Sequence, residues 1–300
     1  MLGPLLFLLF VNEIPEIVQS DVKMFADDTK VWKVLKEPKD SQTLQDDINL
    51  LKEWSQTWLL KFNASKCKTM HIGRGEPNQY FMDSDENGIP LERITKEKDL
   101  GVWLSDDLKP ANQCKAAAGK ATGALRQIKN SFMYITKDSF QILYNTYVRP
   151  HLEYCVQAWN PYYRKDIQRL ERIQRRATKL VRGLEDLTYE ERLVELDLYS
   201  LERRRVRGDL IELHKMFHKE NYITADTFVT LATDNHRGHK LKLFKPRCRT
   251  LLRQKSFSQR IIDSWNALPP QVVQVRTVAA FKAALDKHWK RSRYGQIIGL

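Results

Sequence analysis

The chain has 300 residues, 42% of them hydrophobic, with 50 Lys and Arg against 37 Asp and Glu and a formal net charge of +13. That apolar share excludes whole-chain disorder, and 12 Gly with 11 Pro excludes a collagen-like or Pro/Gly-rich chain. Residues 1–150 hold 20 basic and 20 acidic side chains, whereas residues 151–300 hold 30 and 17, so the second half points to a polyanionic partner, most simply nucleic acid, against the plainer reading of a basic soluble domain.

Met1 to Val11 is almost wholly apolar. It lacks the preceding basic residues and the cleavage site of a signal peptide, and it is shorter than the roughly 20 residues that span a bilayer. The pattern predicts a buried helix over Pro4–Ile14, with Pro in its first turn. A membrane anchor is the competing reading, and the Asn12-Glu13-Ile14-Pro15 that follows speaks against it. Val22–Ala26 and Thr29–Val34 alternate in the manner of strands around Asp27-Asp28, which predicts a β-hairpin with those two residues as its turn. Ser41 reads as an N-cap, and Leu44, Ile48, Leu51, Trp54 and Trp58 follow a helical spacing. Lys66–Ile72 reads as a strand, Gly73–Pro90 as a polar loop and Leu100–Leu104 as a short strand.

Beyond residue 110 the pattern turns helical. Gln113–Phe132 places Ala117, Ala121, Ala124, Leu125 and Ile128 on one side, with Lys115, Lys120, Arg126 and Lys129 mostly off it. Residues 138–149 form a helix expected to stop near Pro150. Lys165–Val181 is strongly amphipathic, its apolar stripe of Ile167, Leu170, Ile173, Ala177 and Leu180 set against Arg169, Arg172, Arg175, Arg176 and Lys179. Its basic faces read either as solvated surface or as a phosphate-tracking surface. Residues 188–220 give helices broken near Leu198-Tyr199-Ser200, and Phe257–Leu268 and Val278–Trp289 give two more.

Cys67, Cys114, Cys155 and Cys248 show no metal-knuckle spacing, which predicts a reducing compartment and no disulfide partner. His236, His239 and Cys248 offer three zinc ligands without a CxxC pair, too few for a structural site. His214 and His218 lack the intervening Glu of a zincin motif, so they read as ordinary histidines on one helix face.

Asp27-Asp28 carries the sharpest chemical signal. Adjacent carboxylates at a turn repel each other unless water or a cation intervenes, and such oxygen ligands suit Mg²⁺, with Mn²⁺ as an alternative. A pair of such ions can activate a 3′-hydroxyl and stabilise a leaving pyrophosphate. The plain alternative is a solvent-exposed turn.

Gly3-Pro4-Leu5-Leu6-Phe7, then Asn12-Glu13-Ile14-Pro15, then Phe25-Ala26-Asp27-Asp28 resembles the palm of non-LTR (LINE-type) retrotransposon reverse transcriptases. Trp58–Asn63 with Lys66-Cys67-Lys68-Thr69 looks like the next palm motif. Leu100, Gly101, Val102, Trp103 and Leu104 look like the primer-grip strand. Tyr147–Tyr154, Trp159 and Phe257–Pro269 resemble the thumb and downstream region of jockey-like elements.

The resemblance implies an α+β chain in which a partial polymerase palm, a catalytic β-hairpin plus helices, precedes a mostly α-helical thumb and C-terminal region. The expected divisions are residues 1–108, 109–185 and 186–300. Asp27 and Asp28 would be catalytic and metal-binding, and Lys66 would help protonate the pyrophosphate, unless it is an ordinary surface Lys. Lys115, Lys120, Arg126, Arg169, Arg172 and Arg176 are candidates for nucleic-acid contacts, although no family motif assigns them. The implied partners are an RNA template, a DNA primer and, in a completed enzyme, deoxynucleoside triphosphates. An intracellular location, nuclear or cytoplasmic, is expected, without membrane association or secretion.

The family's earlier Asp-bearing strand, template-binding Gln-Gly segment and fingers do not precede Met1. The expectation is therefore a truncated RNA-directed DNA polymerase, inactive alone, with an exposed apolar surface around Leu5, Phe7 and Phe10. The alternative is a non-catalytic nucleic-acid-binding module that uses the basic second half.

Overall fold

A computed structural model describes residues 2–82, 88–218, 223–233 and 238–290. The chain divides into two compact units, residues 1–97 and 98–300.

The first unit opens with α1 (Leu2–Val11) and α2 (Ile14–Ile17), followed by the antiparallel pair β1 (Asp21–Phe25) and β2 (Asp28–Trp32) and by α3 (Pro38–Thr57). The single helix expected over Pro4–Ile14 is thus two, separated by Asn12 and Glu13. Pro15 sits in the first turn of α2, where its missing N–H leaves no helical bond unmade. α3 begins before Ser41, because Pro38 opens it and Glu37 with Asp40 forms a reciprocal cap. Asp40 Oδ2 accepts the Glu37 and Lys36 N–H groups at 2.8 and 2.7 Å, which hold its carboxyl below the ordinary range. Ser41 instead donates to the Pro38 carbonyl at 2.9 Å.

Val11, Ile14, Val18, Leu51 and Trp54 form this unit's buried core, and Val22, Met24 and Val31 cover it from one face of the hairpin. The other face of α1 is open: Leu5 is 61% and Leu9 67% exposed. Phe7 and Phe10 depart from expectation by packing on the core, and the Phe10 ring lies 4.6 Å from that of Trp58. The strand expected over Lys66–Ile72 shrinks to β3 (Lys68–Thr69), paired in parallel with β4 (Glu92–Arg93). Asn63 explains the loss. Its Oδ1 accepts the Ser65 N–H at 3.1 Å and the Ser65 hydroxyl at 2.6 Å, which curls the chain through Lys66.

The hairpin of β5 (Lys96–Asp99) and β6 (Val102–Ser105) leads into the second unit, which is helical beyond it. In order come α4 (Ala111–Ser131), α5 (Lys137–Leu143), a π-helical turn (Tyr144–Val148), α6 (Arg149–Glu153), α7 (Val156–Trp159), α8 (Arg164–Thr178), α9 (Tyr189–Glu195) and α10 (Leu201–Phe217). The helix expected to stop at Pro150 runs through it to Glu153. The π turn widens the backbone just before the proline, and Arg149 N–H bonds to the Tyr144 carbonyl five residues back. After a 3₁₀ turn at Ala225–Thr227 come α11 (Leu251–Lys255), α12 (Phe257–Asn266), α13 (Pro270–Val273) and α14 (Val278–Lys290).

Two apolar clusters support these helices. One gathers α4, α5, α6 and α8 around Ala121, Tyr144, Leu152, Leu170 and Ala177. The other gathers α10, α12 and α14 around Leu210, Ile261, Trp265, Phe281 and Leu285. All four cysteines are free, and burial pushes the Cys114 thiol up to about 12. No helix among the described residues is long and apolar enough to cross a membrane.

Candidate functional site

The β1–β2 hairpin is displaced by one residue from expectation. Phe25 pairs with Asp28, so the turn is Ala26-Asp27 and Asp28 opens β2. Ala26 has φ +53°, a left-handed conformation that favours glycine and strains alanine by about 1 kcal/mol. This turn lifts Asp27 to the tip. Asp28 lies beside it on the outward face with Phe25, Lys23 and Lys30, opposite the face that covers the core. Both carboxylates are exposed, and neither has a hydrogen-bond or ion-pair partner among the described residues.

A residue the sequence reading missed anchors this hairpin. Asp47 of α3 is buried and accepts the Gln19 and Ser20 N–H groups at 2.8 and 2.9 Å, fixing the chain just before β1. It stands three residues after Leu44 on the expected helix, and only the tertiary fold shows what its carboxylate meets.

Two exposed carboxylates suit an Mg²⁺ ion that keeps water and substrate phosphates in its shell. Among the described residues, no three His, Cys, Asp or Glu gather into a metal cluster. The pair is a donor set for one ion, and among the described residues no third carboxylate joins it. His239 is buried, with Nε2 3.1 Å from the Trp265 carbonyl oxygen, and burial lowers its pKa. Cys248 turns to the Pro246 carbonyl, and His236 lies outside the described residues. The His214 and His218 rings stack at 4.1 Å, and His214 Nε2 lies 2.8 Å from the Val275 carbonyl oxygen.

Lys66 is exposed in the Asn63 turn rather than on a strand, and no hydrogen bond or ion pair among the described residues joins it to Asp27 or Asp28. The strand expected at Leu100–Leu104 is also corrected. Leu100 and Gly101, with φ +42° and +87°, form the turn between β5 and β6, and only Val102, Trp103 and Leu104 are in the strand. Tyr154 Oη donates to the Leu100 carbonyl at 2.9 Å, and a Cβ on Gly101 would lie 3.2 Å from the Tyr154 ring. Both the positive φ and this close approach require glycine. Val102 is buried in the helical core, and Gln113 of α4 accepts the Trp103 N–H at 3.0 Å.

In the second unit the structure gathers three predicted arginines. Arg169, Arg172 and Arg176 of α8 line an open groove of about 320 Å³, together with Ile173 and with Ala118, Gly119 and Thr122 of α4. Lys115 and Arg126 share a helical stripe with Gly119 and Thr122, at offsets of 0, 4, 7 and 11 residues, and so bracket the groove's α4 wall. Lys120 lies about 140° around the helix from Lys115 and is not on that stripe. Gly119 and Thr122 went unnoticed in the sequence; their spacing to Lys115 and Arg126 was the available signal.

Arg169 pairs with Asp166 at 2.7 Å, whereas Arg172 and Arg176 have no acidic partner among the described residues. α4 contains no acidic residue. The other arginine-rich stretch is committed internally. Arg203 lies over the Trp289 and Tyr199 rings, at 4.8 and 5.1 Å, and Arg204 pairs with Glu153. Arg205 is 2% exposed, and Arg207 grips Asp286 through two bonds of 2.8 and 2.7 Å.

These features define two chemical capacities: an oxygen-ligand tip able to hold a hard cation, and a groove able to hold a polyanion. The chain is similar to the "Probable RNA-directed DNA polymerase from transposon X-element" of Drosophila melanogaster. The two are 24% identical over 199 residues, covering 62% of this chain and 21% of the relative, so the match spans about a fifth of that protein's length. No protein-family model matches the chain, and no solved structure matches it.

Proposed function

We propose that this chain is part of a non-LTR, jockey-like retrotransposon RNA-directed DNA polymerase, with the catalytic hairpin in its first unit and thumb-like helices in its second. The observation that carries the reading is the pair of exposed, unpaired carboxylates that the Ala26-Asp27 turn presents, in a chain similar to a transposon polymerase. Asp27 and Asp28 would hold Mg²⁺, or Mn²⁺ in its place. A bound ion would supply charge neutralisation at the reacting phosphates. The residues' own work is to orient those oxygens: Asp47 fixes the strand entry, the core fixes the inner face, and the strained turn fixes the tip.

RNA template, DNA primer and deoxynucleoside triphosphates are the proposed partners. Lys66 remains a candidate proton donor, and β6 a candidate primer support. Among the described residues no third acidic side chain joins Asp27 and Asp28, and we expect the 300-residue chain to lack primer extension on its own. A second reading, a nucleic-acid-binding module without chemistry, is favoured by the arginine-lined groove, which needs no metal.

Mn²⁺ titration followed by water-proton relaxation tests the hairpin. The chain should show a weak site that is lost in the Asp27→Asn/Asp28→Asn double variant while the fold persists. Mn²⁺ binding unchanged in that variant would overturn the assignment.

A further inference from the structure

We infer that the α4–α8 groove seats a single phosphodiester backbone, with Arg169, Arg172 and Arg176 on one wall and the Gly119–Thr122 segment as the other. This deepens the nucleic-acid part of the proposed function and rests on it, but it does not use the hairpin.

The first argument is charge. Arg169, Arg172 and Arg176 lie at offsets of 0, 3 and 7, so they share one exposed face of α8 and rise about 10 Å along it. One strand of a duplex places a phosphate about every 3.4 Å along its axis, so that rise spans about three phosphates. Lys165 extends the same stripe at one end and Lys179 at the other. Of the acidic residues of α8, Asp166 is fully buried and pairs with Arg169 at 2.7 Å, and Glu171 accepts the Leu201 N–H at 3.1 Å, so neither pairs with Arg172 or Arg176.

The second argument is space. Packed helices lie about 8–10 Å apart, so the channel along their junction suits one backbone rather than the full width of a duplex. Gly119 sits in the middle of a 21-residue helix, where glycine costs about 1 kcal/mol relative to alanine. Internal packing does not require it, because a Cβ built there meets nothing within 4 Å. Its small size instead keeps that wall of the channel low.

The third argument is what the groove lacks. Among the described residues its lining holds no aromatic ring on which a base would stack and no large exposed apolar anchor of the kind a protein partner would bury. Arginine forks over small residues suit a uniform chain of phosphates read without regard to sequence.

Fluorescence anisotropy with a labelled 20-nucleotide DNA, single-stranded and annealed to its complement, tests this at 0.1 M salt without divalent metal. Gly119→Glu introduces a carboxylate into the channel at a position with room for it, and it replaces a poor helix former. We expect it to weaken binding about tenfold in at least one of the two arms. Lys120→Glu changes the net charge by twice as much but lies off the stripe, and it should stay within about twofold. Equal losses in the two variants, or no loss with Gly119→Glu, would overturn the groove while leaving general nucleic-acid binding intact. Absence of binding by the unaltered chain would overturn the nucleic-acid reading itself. Polyglutamate competing as well as the oligonucleotide at equal charge would assign the groove to an acidic protein segment instead.

Discussion

On α10, Arg203, Arg204, Arg205 and Arg207 all meet neighbouring side chains or the protein interior, whereas on α8, Arg169, Arg172 and Arg176 face a groove that nothing in the described residues fills. The two helices are similarly basic, and position separates them. α10 joins both clusters of the second unit, contributing Leu201 to one and Leu210, Ile211 and Leu213 to the other. Its polar positions are therefore surrounded by Glu153, Asp286 and the Tyr199 and Trp289 rings. α8 buries its apolar stripe against α4 and leaves open the flank beside that junction, where Arg169, Arg172 and Arg176 stand. The +13 net charge is thus not one reservoir: part of it holds the helices together, and part is free to meet a ligand.

Changes on the structural side should be the most damaging. Arg260 of α12 grips Asp209 of α10 with bonds of 2.8 and 2.9 Å and also reaches the Gln157 carbonyl at 3.1 Å. Arg260→Ala strands a buried carboxylate and should lower unfolding free energy by about 3–5 kcal/mol, read by urea denaturation. A loss below about 1 kcal/mol would show that this pair does not hold α10 in place. Next in size is Arg204→Ala, which leaves Glu153 without its charge-assisted bonds. It should cost about 1.5–3 kcal/mol with little effect on oligonucleotide affinity. On α8 the pattern should invert: Arg172→Gln/Arg176→Gln should change stability by less than about 0.5 kcal/mol per site and weaken oligonucleotide binding.

A pH titration probes the same contrast more gently. Burial alone would raise the Asp286 carboxyl, but the bonds and charge of Arg207 outweigh it and hold it below its ordinary value of 3.8. A carboxylate depressed in the folded state contributes stability above the unfolded value, and that contribution fades as pH falls through the folded value. Melting temperature should therefore drop below pH 4, and Asp286→Asn should make that drop shallower. An identical acid profile in the variant would remove Asp286 from the account.

The long helices were legible because their apolar spacing is periodic and their burial follows it. α8 and α12 begin and end within a few residues of expectation, and Leu170, Ile173 and Ala177 are buried as the stripe requires. The hairpin was legible in kind and wrong by one residue, because Ala26 occupies a left-handed conformation for which alanine carries no signal. β3 was overestimated because Asn63 offered the backbone a competing turn. Nothing local distinguishes Arg203 and Arg204 from exposed basic residues, since their partners Trp289 and Glu153 are distant in sequence. The groove was the least legible feature: its residues sit on two helices about 50 positions apart, and only the packing of α4 on α8 joins them.

The salt dependence of oligonucleotide binding tests the division between structural and ligand-facing arginines most directly. For a single strand, the slope of log affinity against log salt falls by about 0.7 for each phosphate contact removed. Arg172→Gln/Arg176→Gln should therefore flatten the slope by about 1.4, and Arg204→Gln should leave it unchanged while lowering the melting temperature. Equal slopes for the two variants, or a flatter slope for Arg204→Gln, would contradict the division.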